Sequence, residues 1–142
     1  MTRKALLRLK TQAQFQVLLG ERALAKSEHF ALHRHGLDPS AAGMAARPTF
    51  LPGLWVGAMV PKRWAKRSVT RHAIKRQIYT VAQDLLPAHD CAAYLVRLRS
   101  GFTRQQFHSS SSELLKQAVH AELSALMARV PAALTPPLPP AP

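Results

Sequence analysis

At 142 residues and 47% hydrophobic content, the chain is long enough to bury the core of one domain, which excludes wholesale disorder. Its 20 Lys and Arg residues against seven Asp and Glu residues give a formal charge of +13. An excess of this size is tolerated mainly beside a polyanion, so nucleic acid is the expected partner and an anionic membrane surface the second choice.

The cysteine content and the lengths of the apolar runs limit the compartment. Cys91 is the single cysteine, so the chain has no intramolecular disulfide and no cysteine zinc site of its own. Apolar runs stay well short of the roughly 18 residues that a membrane-spanning helix needs. We therefore expect a cytoplasmic protein without a membrane partner.

The chain begins with residues 1–10, a basic segment that we predict to be a partly ordered arm. Thr11 and Gln14 follow with the spacing of a helix capping box, and Gly20 is a natural helix terminator. Between them Phe15 is one of the apolar residues spaced along a single face. The pattern predicts a short helix with one apolar side.

Strand patterns come next. Residues 27–35 alternate between apolar and polar positions, which predicts a strand with one half-polar face, and a short strand at 22–25 is a possible partner. Residues 36–53 hold three prolines and three glycines and predict a long surface loop. Residues 54–60 are almost continuously apolar, as in a strand buried on both faces.

Residues 62–76 form the basic centre of the sequence. Their cations are Lys62, Arg63, Lys66, Arg67, Arg71, Lys75 and Arg76, and His72 lies among them. No acidic residue occurs between Pro39 and Gln83, whereas a solvated helix ordinarily mixes charge signs. We predict that this stretch begins a helix ending near Leu86, before Pro87, with its cationic N-terminal part placed beyond the core to bind phosphate.

The rest of the chain completes an α/β pattern. The second half of the basic helix carries an apolar stripe, Ile74, Ile78, Val81 and Leu85. Residues 92–99 alternate as a strand, which implies a crossover and a parallel strand pair. Ser110 and Glu113 form a second capping box before a helix, and residues 131–142 are too rich in proline for helix or sheet. The buried side of this last helix is predicted to be Leu115, Val119, Leu123, Leu126 and Val130.

A catalytic site is hard to assemble from these residues. The seven acidic residues form no pair suited to two-carboxylate chemistry, and the sequence has no glycine-rich phosphate loop and no nucleophile motif. His29, His33 and His35 on one strand face suggest a metal site, but no neighbouring carboxylate or thiol completes a ligand set. We predict binding as the function, with no catalytic residue and no metal ligand.

The order of elements and the basic motif resemble the protein component of bacterial ribonuclease P. That family's signature runs from two basic residues after a strand, through Arg-Asn-Arg, to Ile/Val-Lys-Arg. Lys62-Arg63, Arg71 and Ile74-Lys75-Arg76 stand at matching places, and Phe15 stands where the family has an aromatic residue in its first helix. The resemblance covers about residues 9 to 128.

This resemblance implies an α/β (α+β) two-layer sandwich over residues 11–130, with about four strands in a mixed sheet, three helices and a left-handed βαβ crossover. It implies a subunit of ribonuclease P that binds the catalytic RNA and the 5′ leader of precursor tRNA and assists removal of the leader. The RNA performs the cleavage with Mg²⁺, and no cofactor is expected on the protein side chains. The implied partners are ribonuclease P RNA and precursor tRNA, with no protein partner required.

The resemblance also assigns residues to the two RNAs. Phe15 and His33 are expected to line the leader cleft. The family's Arg-Asn-Arg reads Arg71-His72-Ala73 here, so one amide and one guanidinium are missing and Ala73 takes no role. The expected contacts to the catalytic RNA are Lys62, Arg63, Lys66, Arg67, Arg71, His72, Lys75 and Arg76.

Two other functions use the same residues differently. A ribosomal or nucleoid-type structural protein would place the basic helix on ribosomal RNA or DNA and would purify with those polymers. A metal-dependent nuclease acting alone would cleave RNA without any RNA subunit. These alternatives differ in what copurifies with the chain and in whether the protein cleaves by itself.

Overall fold

The computed structural model describes residues 6–37, 50, 53–86, 91–101 and 113–130. Most of the predicted loop at 36–53 and all of the proline-rich tail lie outside these residues. The described elements are β1 (Leu6–Arg8), α1 (Gln12–Gly20), β2 (Ala23–Lys26), β3 (Phe30–Gly36), β4 (Leu54–Met59), α2 (Ser68–Leu85), β5 (Ala92–Leu98) and α3 (Glu113–Met127). The predicted α+β class with three helices and a mixed sheet is confirmed.

The five strands form one sheet in the order β1-β4-β5-β3-β2. β1, β4 and β5 run parallel, whereas β3 is antiparallel to β5 and β2 is antiparallel to β3. The predicted parallel pair is therefore β4 and β5, joined through α2. The left hand of this crossover stays an expectation from the resemblance.

The sheet has five strands, whereas the resemblance implied about four, and the additional strand is β1. It lies within the segment predicted as a basic arm, and Leu6 pairs with Leu54 at the edge of the sheet. The backbone N–H of Leu9 continues the pairing by donating to Val56 O at 3.1 Å. At this point Leu9 packs on the backbone of β4, and a Cβ added to Gly57 would lie 2.4 Å from Leu9 Cδ1.

The main core lies between the sheet and helices α2 and α3. Side chains alternate along β5, so Tyr94 and Val96 face this core, as do Phe30 and Leu32 of β3. The five residues predicted to form the buried side of α3 are all buried, and Met127 joins them. This packing fixes α2 against the sheet.

Helix α1 packs on the face of the sheet opposite to α2 and α3. Its Leu18 is fully buried against Ala93 and Leu95, the β5 residues that alternate with the main core. The predicted capping box is present: Gln14 N donates to Thr11 Oγ1, and Thr11 N donates to Gln14 Oε1. The cap therefore fixes where the helix starts over the sheet.

Helix α2 starts within the predicted basic stretch, but six residues after Lys62. It begins at Ser68, because Trp64 N and Ala65 N both donate to Pro61 O at 3.1 Å and close a turn first. The buried stripe of α2 also differs from the prediction at its C-terminal end. Leu85 is 37% exposed, and Leu86 occupies the buried position instead.

Candidate nucleic-acid interface

The first group of cations lies on the turn that connects β4 to α2. Lys62, Arg63, Lys66 and Arg67 are all exposed. The Arg63 guanidinium lies 5.3 Å from the centroid of the Trp64 ring, which keeps a large aromatic surface beside the charges. The carbonyl of Trp64 lies against Gly101, where a Cβ would approach it to 3.0 Å. Glycine at position 101 therefore allows the basic turn to pack on the segment after β5.

Arg71 connects this turn to the helix. Its Nη1 donates to Ala65 O at 3.0 Å and to Lys66 O at 2.8 Å, and the side chain is half-buried. Arg67, at the N-cap of α2, makes no side-chain capping bond, so the first helical N–H groups lack a side-chain acceptor from the cap residue. Arg71 thus has a structural role in addition to its charge.

The second group of cations lies on α2 itself, in a groove beside the helix. His72, Lys75 and Arg76 line a groove between α2 and β1, together with Tyr79 and Arg8. His72 and Arg76 are exposed, and Lys75 is half-buried. Residues 62–76 thus contribute two surfaces, the turn and the helix face, with Arg71 between them.

The predicted cleft residues both lie on the α1 face of the sheet. Phe15 is half-buried and packs against the small cluster that contains Leu18 and Leu95. His33 pairs with Leu95 across β3 and β5. The structure therefore assigns Phe15 and His33 to the same side of the sheet, but His33 is only 5% exposed and presents little surface to a ligand.

The imidazole of His33 bridges α1 and β5. Its Nδ1 lies 3.0 Å from Glu21 O, a carbonyl that only accepts, so Nδ1 carries the proton. Its Nε2 is then an acceptor for Arg97 Nε at 3.4 Å. Burial lowers the pKa of His33, as do the positive charges of Arg97 and Lys26, against the opposing effect of the Glu21 carbonyl. The ring is accordingly neutral and positions a guanidinium on this face.

The three histidines that suggested a metal site do not share one set of contacts. His29 precedes β3, and its Nδ1 lies 2.7 Å from Glu122 Oε1 of α3. His35 Nδ1 lies 2.8 Å from Glu21 Oε1. Within the described ranges, no group of three or more His, Cys, Asp or Glu residues is arranged to hold a metal ion.

Two cations beside these surfaces were not among the predicted site residues. Arg8 belongs to the unpredicted strand β1 and stacks on Tyr79, with 4.0 Å from its guanidinium carbon to the ring centroid. Arg97 appears in the sequence only as a polar residue of an alternating strand. Its interaction with His33 depends on the pairing of β3 with β5, which local pattern does not reveal.

In the described part of the chain, no helix is long and apolar enough to cross a membrane.

Residues 3–122 match the family model described as Ribonuclease P. This range includes both basic surfaces, the α1 face and most of α3.

Curated relatives agree with the family model. The chain is 33% identical over 91 residues to the ribonuclease P protein component of Trichormus variabilis, a match covering 56% of this chain and 64% of that relative. It thus spans less than two thirds of that relative's length. The ribonuclease P protein component of Bordetella parapertussis is 32% identical over 126 residues, which cover 87% of this chain and 90% of the relative.

A solved structure supports the fold. The RNase P protein of Staphylococcus aureus superposes with a TM-score of 0.60 at 15% identity, covering 90% of this chain and 97% of that chain. At that identity the likeness concerns the fold, which has the same α+β class. Because the family model matches residues 3–122, which are most of the chain, this chain belongs to the ribonuclease P protein family.

Proposed function

We propose that this chain is the RNA-binding protein subunit of ribonuclease P, which holds the catalytic RNA and assists removal of the 5′ leader from precursor tRNA. The family membership supports this assignment. The observation that carries it is the pair of cationic surfaces formed by residues 62–76 of a chain without acidic residues from Pro39 to Gln83. Such cations neutralise phosphates, and residues 62–76 themselves hold no carboxylate that would repel them.

In this proposal the turn cations and the groove cations bind the phosphates of ribonuclease P RNA. The uncapped N-terminus of α2 adds its partial positive charge at the same place. Arg71 contributes mainly by holding the turn against the helix through its two carbonyl contacts. The catalytic metal, Mg²⁺, is bound by the RNA, and the protein supplies no catalytic group.

The leader of precursor tRNA lies on the α1 face of the sheet. Phe15 offers an aromatic edge for a base or sugar, and Arg97 offers a guanidinium for a phosphate. His33 acts by fixing Arg97 rather than by contacting the leader with its own ring. Binding on this face distinguishes precursor from mature tRNA because only the precursor has a leader.

The test is the salt dependence of the affinity for ribonuclease P RNA. If four to six cations neutralise phosphates, the log-log slope is about −3 to −5. Arg76→Gln should reduce the magnitude of the slope by about one, whereas Lys26→Gln should leave it unchanged. Lys26 is the matched control because it is exposed on β2, at the opposite edge of the sheet from β1. A slope near zero contradicts the proposal.

A further inference from the structure

The groove between β1 and α2 has a volume of about 680 Å³ and carries opposite charges along its length. Lys75 and Arg76 line it toward the start of α2, and Asp84 lines it toward the end. Asp84 is eight positions after Arg76, which is about 12 Å along a helix axis. A ligand that fills the groove therefore meets cations at one end and a carboxylate at the other.

Asp84 is unexpected in a surface that binds only phosphate. It is the first acidic residue after Asp38 in the sequence, and a carboxylate beside a phosphate site lowers phosphate affinity by repulsion. Gln83 lies next to it in the groove and supplies an amide. This end of the groove is suited to hydrogen-bond donors of a neutral group.

The middle of the groove has a planar surface. Arg8 lies over Tyr79 with 4.0 Å between the guanidinium carbon and the ring centroid, so Tyr79 covers one face of the guanidinium. The opposite face of the guanidinium remains for a second planar group, and Arg8 is exposed. Unpaired bases stack on arginine planes of this kind.

We propose that this groove binds one unpaired guanine nucleotide of an RNA. Lys75 and Arg76 bind its phosphate, the base stacks on Arg8, and the Asp84 carboxylate accepts from N1–H and the 2-amino group. Guanine presents these two donors side by side on its Watson–Crick edge, matching the two carboxylate oxygens, whereas uracil places one N–H between two carbonyls that the carboxylate repels. The inference rests on the proposed function, because the nucleotide belongs to the RNA held by the neighbouring cations.

The test is a titration of the full chain with the 5′-monophosphates of guanosine, adenosine, cytidine and uridine. Calorimetry and the NMR signals of Tyr79 measure the binding of each nucleotide. The guanosine monophosphate is expected to bind about tenfold more tightly than the uridine monophosphate, in line with the value of a good bidentate base contact. Asp84→Ala should abolish this preference while leaving phosphate binding intact. Arg8→Gln should weaken binding of all four nucleotides.

Glu113→Ala is the matched control, since Glu113 is an exposed acid on α3 outside the groove. It should keep the preference for guanosine. Equal binding of the four nucleotides, no binding, or a preference that survives Asp84→Ala overturns the inference.

Failure of this inference is separable from failure of the proposed function. The nucleotide titration uses the protein alone, whereas the salt-slope experiment uses ribonuclease P RNA. If nucleotides bind without preference but Arg76→Gln still reduces the magnitude of the salt slope, only the guanine site is wrong. If guanosine is preferred but ribonuclease P RNA binds with no salt dependence, only the proposed function is wrong.

Discussion

Arg97 Nε lies 3.4 Å from Nε2 of His33, a ring whose other nitrogen donates to the carbonyl of Glu21 at the C-cap of α1. The end of α1 is thereby connected through a neutral imidazole to a guanidinium on β5. This contact gives His33 a structural role, whereas the ligand-binding role of Arg97 belongs to the proposed function.

The first prediction separates those roles. Arg97→Ala should weaken binding of precursor tRNA by about tenfold, the value of a charged hydrogen bond, and leave mature tRNA binding unchanged. His33→Leu should have the same selective effect, since it removes the acceptor that positions Arg97. His33→Gln should restore much of the discrimination, because an amide both donates and accepts. If both tRNAs weaken equally with Arg97→Ala, the side chain does not contact the leader.

The lowered pKa of His33 predicts a pH dependence of stability. The unfolded chain takes up a proton near the ordinary value of 6.5, whereas the folded chain does so only at lower pH. This contribution to the free energy of unfolding is therefore complete above pH 6.5 and is lost as pH falls from 6.5 toward the lower folded-state pKa. Denaturant unfolding of wild type and His33→Gln from pH 5 to 8 measures it as the difference between the two curves. A difference that is constant with pH contradicts this prediction.

Arg71 should matter for folding as well as for RNA. Arg71→Gln removes donors to Ala65 O and Lys66 O, which should lower the free energy of unfolding by about 1 to 2 kcal/mol. Arg76→Gln removes the same charge from an exposed position and should change stability by less than about 0.5 kcal/mol. Chemical denaturation of both variants, beside their RNA affinities, distinguishes a structural loss from a loss of phosphate contact. Equal stability of the two variants would show that the carbonyl contacts contribute nothing.

Glu122 should stabilise the turn between β2 and β3. Its carboxylate accepts from Ser27 Oγ, from His29 N at 2.7 Å and from the His29 ring. These bonds lower the pKa of Glu122, although burial alone would raise it, so their contribution is present above pH 4.5 and lost as pH falls through the folded-state pKa. Glu122→Gln should cost about 2 kcal/mol at pH 7, as expected for charge-assisted bonds.

Glu113→Gln is the control for Glu122. Glu113 forms an exposed ion pair with Lys116 at 3.3 Å, which is worth at most about 0.5 kcal/mol. Thermal unfolding should therefore separate the two variants at pH 7, and the separation should shrink as pH falls below 4.5 through the lowered folded-state pKa of Glu122. Similar losses at pH 7 would remove the special role of Glu122.

The sequence predicted the elements whose signals are local. The Thr11–Gln14 capping box, the buried positions of α3 and the apolar stripe of α2 from Ile74 to Val81 depend on spacings within one helix, and the structure has all of them. The basic residues of the candidate site were also evident, because a run of one charge sign requires no partner in space to be recognised.

The features that the sequence did not predict depend on contacts between distant segments. Leu6–Arg8 is too short to carry a strand pattern and becomes β1 only because it pairs with β4. Arg97 gains its position from the register of β3 with β5. The late start of α2 has a local cause instead, because the N–H groups of Trp64 and Ala65 share the carbonyl of Pro61 in a turn that the run of basic residues does not reveal.

The most direct test of the proposed function is the magnesium requirement of precursor tRNA cleavage by a bacterial ribonuclease P RNA, measured with and without this protein. Cations that neutralise RNA phosphates replace part of the work of Mg²⁺, so the protein should lower the concentration needed for half-maximal cleavage. Arg76→Gln should lower it less than wild type. A magnesium requirement that is unchanged by the wild-type protein would contradict the proposed role in ribonuclease P.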